Sequence, residues 1–192
     1  MTTAAAELSL GCHAMDASRV AVLIPGLGYT AQGPLLAYAR LAVERRDAEA
    51  RVIDWSPPDL KDPVEQVVWV SEQVSAVLGA DRAVLIGKSL GSLAAGLAAR
   101  HALPAVWLTP LLYRPDVVET IAAAAHPPLL VGGTRDRGWD GAVARRLSPC
   151  VLEVPDADHL LYVPGPVRRT ADVAGQVAEA IEDYLDSYAW PR

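Results

Sequence analysis

The stretch Gly87-Lys88-Ser89-Leu90-Gly91 can be read as two different chemistries. Through Gly87-Lys88-Ser89 it matches the end of a phosphate-binding loop, and as G-x-S-x-G it matches the sharp turn that presents a serine as a nucleophile. A phosphate loop needs a glycine five positions before Gly87, so that backbone N–H groups can wrap phosphate oxygens. That position is Arg82, and Ala83-Val84-Leu85-Ile86 reads as aliphatic strand, so no cradle can form. The serine reading then needs help, because a serine hydroxyl is nearly inert at neutral pH without a base in reach and a carboxylate to fix the tautomer of that base. Of the four histidines, His13 precedes the core, His101 falls at a helix end and His126 stands before Pro127-Pro128. Only His159 follows the last strand-like run. For the acid, Asp136 directly follows Gly132-Gly133-Thr134-Arg135 and is preferred to Asp140; Asp156 and Asp158, beside the histidine, are weaker candidates.

These residues need elements to hold them. Short aliphatic runs at 20–24, 51–54, 83–86, 105–108, 129–132 and 151–154 read as strands buried on both faces, the pattern of a parallel sheet. Helix periodicity lies between them, with Leu35, Leu36, Ala39, Ala42 and Val43 on one stripe and Val67, Val70, Val74, Val77 and Leu78 on the next. A short helix is expected over 115–125. A long last helix follows Pro166, with Val173, Val177, Ile181, Tyr184 and Tyr188 on one face. Alternating strands and helices with right-handed crossovers predict an α/β fold: a three-layer, open, mostly parallel sheet with helices on both faces. A weak strand signal at 8–10 adds a possible edge strand. In such a sheet ligands bind beyond the carboxyl ends of the strands, where Ser89, Asp136 and His159 all fall.

A dinucleotide site competes for the first of these strand ends. Gly26-Leu27-Gly28-Tyr29-Thr30-Ala31 fits G-x-G-x-x-A, and Asp54 stands near the offset of a ribose-binding carboxylate. Pro25 is unusual at that strand exit, and the reading leaves the residues after the other strands unexplained. The G-x-S-x-G turn accounts for more of them. Gly87 and Gly91 leave room around Ser89, and the following helix points its first free N–H, that of Leu90, toward the oxygen of a reacting carbonyl.

VLIPGLGYT, GKSLG, LLVGGTRD and VPDADH, in that order along the chain, resemble the oxyanion loop, nucleophile turn, acid strand and histidine loop of the α/β-hydrolase superfamily. The likeness runs from about Val20 to the last helix. It implies the triad order Ser89, Asp136, His159, and a second oxyanion donor in the backbone N–H of Leu27. It implies hydrolysis of a small acyl ester or thioester through an acyl-enzyme, with no cofactor and no metal. Two departures stand out. Pro25-Gly26 replaces the His-Gly that many relatives have at the oxyanion turn, and the segment between Leu112 and Leu129, where relatives often insert a lid, has room for only one short helix. An open site is expected. Tyr29, Tyr113, Trp139 and Leu160 are candidate walls of a substrate pocket, and Lys88 is expected to be structural, its stem packed and its ammonium paired. The competing functions are a binding protein of the same fold without turnover and an NAD(P)-dependent oxidoreductase.

Composition narrows the field further. A chain of 192 residues with 52% hydrophobic content suits one domain over 1–192 with a sizeable core. A net charge of −6, with no basic run longer than an arginine pair, argues against nucleic acid as a partner. The N-terminal region lacks a basic stretch ahead of its apolar part and contains Glu7, so no signal peptide or membrane span is expected and the protein reads as cytoplasmic. Cys12 and Cys150 form no metal-spaced or redox pair.

Overall fold

The computed structural model describes residues 18–79 and 82–191. The possible strand at 8–10, together with Cys12 and His13, lies outside the described residues. Six strands, β1 (Arg19–Ile24), β2 (Glu49–Val52), β3 (Arg82–Lys88), β4 (Ala105–Leu108), β5 (Leu129–Gly133) and β6 (Val151–Val154), form one open sheet in the order β2-β1-β3-β4-β5-β6. Every neighbouring pair is parallel. Parallel strands need crossover helices, which here cover both faces and explain why the central strands are mostly apolar.

Strand alternation divides the core in two. Ala21, Leu23, Val84, Ile86, Val106, Leu108 and Val131 point to the face covered by α1 (Pro34–Glu44) and α6 (Val167–Tyr184). Val20, Val22, Ile24, Leu85, Ala105, Trp107 and Leu130 point to the face covered by α2 (Pro63–Val77), α3 (Ala95–Arg100), α4 (Pro115–Ala122) and α5 (Gly141–Leu147). Consecutive residues of a strand therefore feed different cores. After β1 the chain passes to α1, and after β3 to α3 on the opposite face. The loops beyond these adjacent strands diverge and leave a crevice, the position where open α/β sheets bind ligands.

Three elements depart from the sequence reading, each for a local reason. The edge strand β2 begins two residues earlier than expected, because Glu49 and Arg51 pair with each other at 2.9 Å and sit in the strand despite their charge. Helix α4 stops at Ala122 rather than 125, ahead of His126-Pro127-Pro128, where a residue preceding proline avoids helical geometry. The last helix passes into a π-helical turn, Leu185–Ala189, closed by the Trp190 N–H on the Leu185 carbonyl at 2.8 Å. The extra residue rotates the apolar stripe, so Leu185 and Trp190 are buried. Tyr188 is 38% exposed and stacks on Tyr184 instead.

Tyr184 ties α6 to the sheet. Its buried hydroxyl accepts the Ala105 N–H and donates to the Pro127 carbonyl, both at 3.1 Å. Tyr184→Phe leaves both backbone groups without a partner in a closed space. The expected cost is about 1–3 kcal/mol of stability, read as a lower urea midpoint with an unchanged denaturant slope.

Candidate active site

Ser89 sits where β3 ends and a 3-10 turn, Ser89–Ala94, leads into α3. Its φ of 52° is left-handed, a conformation that costs a non-glycine residue energy and holds only when its surroundings enforce it. The surroundings do so through close packing. A Cβ on Gly87 would lie 2.7 Å from the Trp107 ring, and one on Gly91 would lie 2.6 Å from the Ile24 carbonyl oxygen. Ser92 completes the turn. Its buried hydroxyl donates to the Ser89 carbonyl at 2.7 Å and accepts the Leu111 N–H at 3.2 Å, joining the turn to the loop after β4.

His159 arrives from the loop after β6 and Asp136 from the loop after β5. The His159 Nε2 lies 2.8 Å from the Ser89 Oγ, and its Nδ1 lies 2.8 Å from the Asp136 Oδ2. Three residues from distant parts of the chain thus form one continuous hydrogen-bonded line. The two loops are clamped together. The Arg135 N–H donates to the Ala157 carbonyl at 2.9 Å, the Thr134 N–H to the Val154 carbonyl at 3.1 Å, and the Asp156 N–H to the Thr134 hydroxyl at 2.8 Å. A side chain on Gly133 would run into the Ala157 backbone, so glycine there permits the approach. Asp158 shapes the histidine loop, its carboxylate accepting the N–H groups of Leu160 and Tyr162 at 2.8 and 2.9 Å.

Burial on its own would push the Asp136 carboxyl up. The hydrogen bonds from His159 and the Gly138 N–H, with the positive fields of His159 and Lys88, outweigh burial and hold it below the ordinary carboxylate value. It is therefore ionised at neutral pH and accepts from the ring. Asp140, the competing acid, is used elsewhere: it caps α5, accepting the Ala142 and Val143 N–H groups at 2.9 Å each.

The turn after β1 approaches from the other side. Gly26 and Tyr29 form an isolated bridge, Gly28 takes a left-handed φ of 65°, and a Cβ on Gly26 would lie 3.3 Å from the Ser89 Cβ. Leu27 is carried at the tip of this turn, and Leu90 lies in the first turn of the 3-10 helix, where N–H groups lack intrahelical acceptors. Both residues line one small cleft of about 250 Å³.

The architecture has counterparts among solved structures. Est1E from Butyrivibrio proteoclasticus superposes with a TM-score of 0.67 over 89% of this chain and 90% of its own, at 12% sequence identity. An esterase from Pyrococcus furiosus, Pf2001, gives 0.64 over 91% and 84%, at 13% identity. Dienelactone hydrolase from Anabaena variabilis gives 0.56 over 89% and 88%, at 19% identity. The chain has the α/β-hydrolase fold. No protein-family model matches the sequence, and no curated protein does.

The connection after β4 holds one helix, α4, whose Val117 and Ile121 are buried on the face shared with α3 and α5. The His159 side chain keeps 39% of its surface open. The candidate wall residues separate. Tyr29 and Leu160 line a mainly apolar cleft of about 480 Å³ between the starts of α1 and α6, together with Tyr38, Leu161, Tyr162 and Val163. Tyr113 lies with His159, Arg135 and Arg137 on a shallower groove at the other side of the relay. Trp139 lines neither cleft, which corrects its place among the candidate walls: it covers Gly132 on the face of α3 and α4 and donates its indole N–H to Glu153 at 2.8 Å.

Two roles escaped the sequence reading. Ser92 is an ordinary helix-start serine by type, and only its position three residues past Ser89 hinted that it could reach the Ser89 carbonyl. Lys88 was expected to be paired, yet its ammonium makes no hydrogen bond or salt bridge to any described residue and rests over the Tyr29 ring. Among the described residues no cluster of metal-ligating side chains occurs, and no helix is long and apolar enough to cross a membrane.

The packing of the turn gives a direct test. Gly91→Ala drives a methyl into the Ile24 carbonyl, a backbone atom that cannot step aside. The strain should cost about 1–3 kcal/mol, with a Tm drop of several degrees by differential scanning calorimetry.

Proposed function

We propose that the chain is a serine hydrolase that cleaves small, largely apolar esters or thioesters through an acyl-enzyme. The observation that carries this reading is the line from Ser89 Oγ to His159 to Asp136, with both links at 2.8 Å. His159 takes the Ser89 proton as the Oγ attacks the carbonyl carbon, and Asp136 holds the ring and stabilises the imidazolium. The negative oxygen of the tetrahedral intermediate is received by the N–H groups of Leu27 and Leu90, worth roughly 2.7–4 kcal/mol each in comparable sites. His159 then returns its proton to the leaving oxygen or sulfur. Water repeats the sequence and releases the acid, leaving Ser89 as it began.

The 480 Å³ cleft beside Tyr29 and Leu160 supports an apolar substrate portion of moderate size, since it lies within the volume range of small-molecule sites and shares walls with both loops that flank Ser89. The esterase and hydrolase names of the structural neighbours fit the same chemistry, and Est1E has been solved with ferulic acid bound. Nothing in the mechanism calls for a metal or an organic cofactor.

A fluorophosphonate probe should label the protein once, on Ser89, and Ser89→Ala should fold normally and take no label. A folded wild-type protein that stays unlabelled would point to a binding protein of this fold without turnover. The acid is tested separately. Asp136→Asn should lower kcat on p-nitrophenyl esters by a factor on the order of 10⁴. Asp140→Asn should keep near-normal turnover, because asparagine caps a helix about as well as aspartate. The reverse pattern would move the acid role to Asp140.

A further inference from the structure

Lys88 has no ordinary reason to be where it is. The side chain immediately before Ser89 is 1% exposed, and its Nζ has no salt bridge or hydrogen bond to a described residue. Burying an ammonium with no direct hydrogen bond costs more than burying an aliphatic side chain of the same length, a cost that the fields of Asp136 and Asp158 offset only in part. Its stem lies against the turn after β1, where a Cβ on Gly26 would meet the Lys88 Cδ at 3.2 Å, and its Nζ stands 5.1 Å from the centre of the Tyr29 ring. Tyr29 closes that turn through its bridge to Gly26, and its hydroxyl accepts the Leu35 N–H at 3.0 Å at the start of α1.

We infer that Lys88 is a positioning residue whose buried positive charge, seated on the face of Tyr29, holds the 26–29 turn so that the Leu27 N–H stays aimed at the reacting oxygen. The inference rests on the serine-hydrolase reading of the site. A largely buried cation over an aromatic face is attracted to it more strongly than one at an exposed surface, and here the contact links the residue before the proposed nucleophile to the loop that must approach it. A neutral side chain of equal shape would fill the same space and leave the turn without that hold.

The ionisable groups facing Lys88 are Tyr29 from the turn after β1, Asp136 from the loop after β5, with His159 bonded to it, and Asp158 from the loop after β6. Burial pushes the Lys88 ammonium down to about 8, against the opposing pull of the Asp136 and Asp158 carboxylates. Burial moves the Tyr29 hydroxyl the other way, above its ordinary value, so the ring stays neutral while Lys88 titrates. The sign follows. Between about 8 and the ordinary lysine value the unfolded chain holds a proton that the folded chain has lost, so stability rises with pH through that window. Below it, the charge is a cost to the fold.

This separates a positioning role from a structural one. Lys88→Met keeps the stem and removes the charge, so it should raise Tm at pH 7 while lowering kcat on a p-nitrophenyl ester roughly tenfold with little change in KM. In the wild type kcat should fall as pH rises through about 8, and in Lys88→Met that fall should be absent. Tyr29→Leu should lose activity similarly, and the double variant should be no worse than either single one, the non-additivity of a shared interaction. Lys88→Met with wild-type kcat and a wild-type alkaline fall, or with activity and Tm lost together, would overturn the role. Additive losses in the double variant would also overturn it. Fluorophosphonate labelling of wild-type Ser89 is the control: without it both the hydrolase reading and this inference fail, and with it the variants judge Lys88 alone.

Discussion

Everything at the strand ends depends on one constraint, the absence of spare volume where β3 turns into its helix. Gly87 meets Trp107 and Gly91 meets the Ile24 carbonyl, so the intervening backbone has one way to pass and Ser89 is carried into a left-handed conformation. That conformation costs roughly 1–3 kcal/mol. The cost is carried by a strand held on both sides, since β3 is paired with β1 along most of its length and with β4 at its end. It is also carried by Ser92, which ties the Ser89 carbonyl to the loop after β4. A rigid sheet thereby converts packing into a fixed direction for one hydroxyl.

The same sheet brings the remaining groups to that hydroxyl by strand order rather than by sequence proximity. β5 and β6 are neighbours at one edge, so the acid and histidine loops can be bolted together, with Gly133 against Ala157 and three hydrogen bonds between them. β1 lies on the other side of β3, so its turn approaches Ser89 from the opposite direction. The His159–Asp136 pair and the 26–29 turn therefore belong to separate structural units, and Ser89 is their point of meeting. Lys88, the residue before it, is the side chain that reaches from that point into the 26–29 turn.

Much of this was legible in the sequence because it follows from residue type. The strands at 20–24 and 105–108 are apolar and buried, that at 151–154 is mostly aliphatic and partly buried, and the structure places strands over all three. The order of Ser89, Asp136 and His159 along the chain, each after a strand, was enough to predict that a parallel sheet would bring them together. Asp136 could be preferred to Asp140 only by its distance from the strand, and the cap made by Asp140 emerges once α5 has a start. What stayed hidden depends on relations between elements. The charged pair within β2 hides where the edge strand begins, so the run read at 51–54 is a strand at Glu49–Val52, and a one-residue π-helical insertion rotates Tyr188 out of a stripe that periodicity alone would continue. The direction of Trp139 follows from the space above Gly132, which no local pattern records.

The division between chemistry and recognition has a physical basis. Ser89, His159 and Asp136 are set by strand ends and glycine contacts, where a single added carbon has no room. The large apolar cleft is set by side chains on the first turns of α1 and α6 and on the loop after His159, including Tyr38, Tyr162 and Val167, which are exposed on one side and free to differ in size without disturbing the sheet. On the proposed reading of this cleft as the seat of the substrate, substitutions there change what it admits and leave the line from Ser89 to Asp136 intact. Tyr29 is the exception, since it lines the cleft, closes the 26–29 turn and lies under the ammonium of Lys88 at once. On the proposed function, changes in substrate preference that pass through Tyr29 therefore also change the rate of the chemical step.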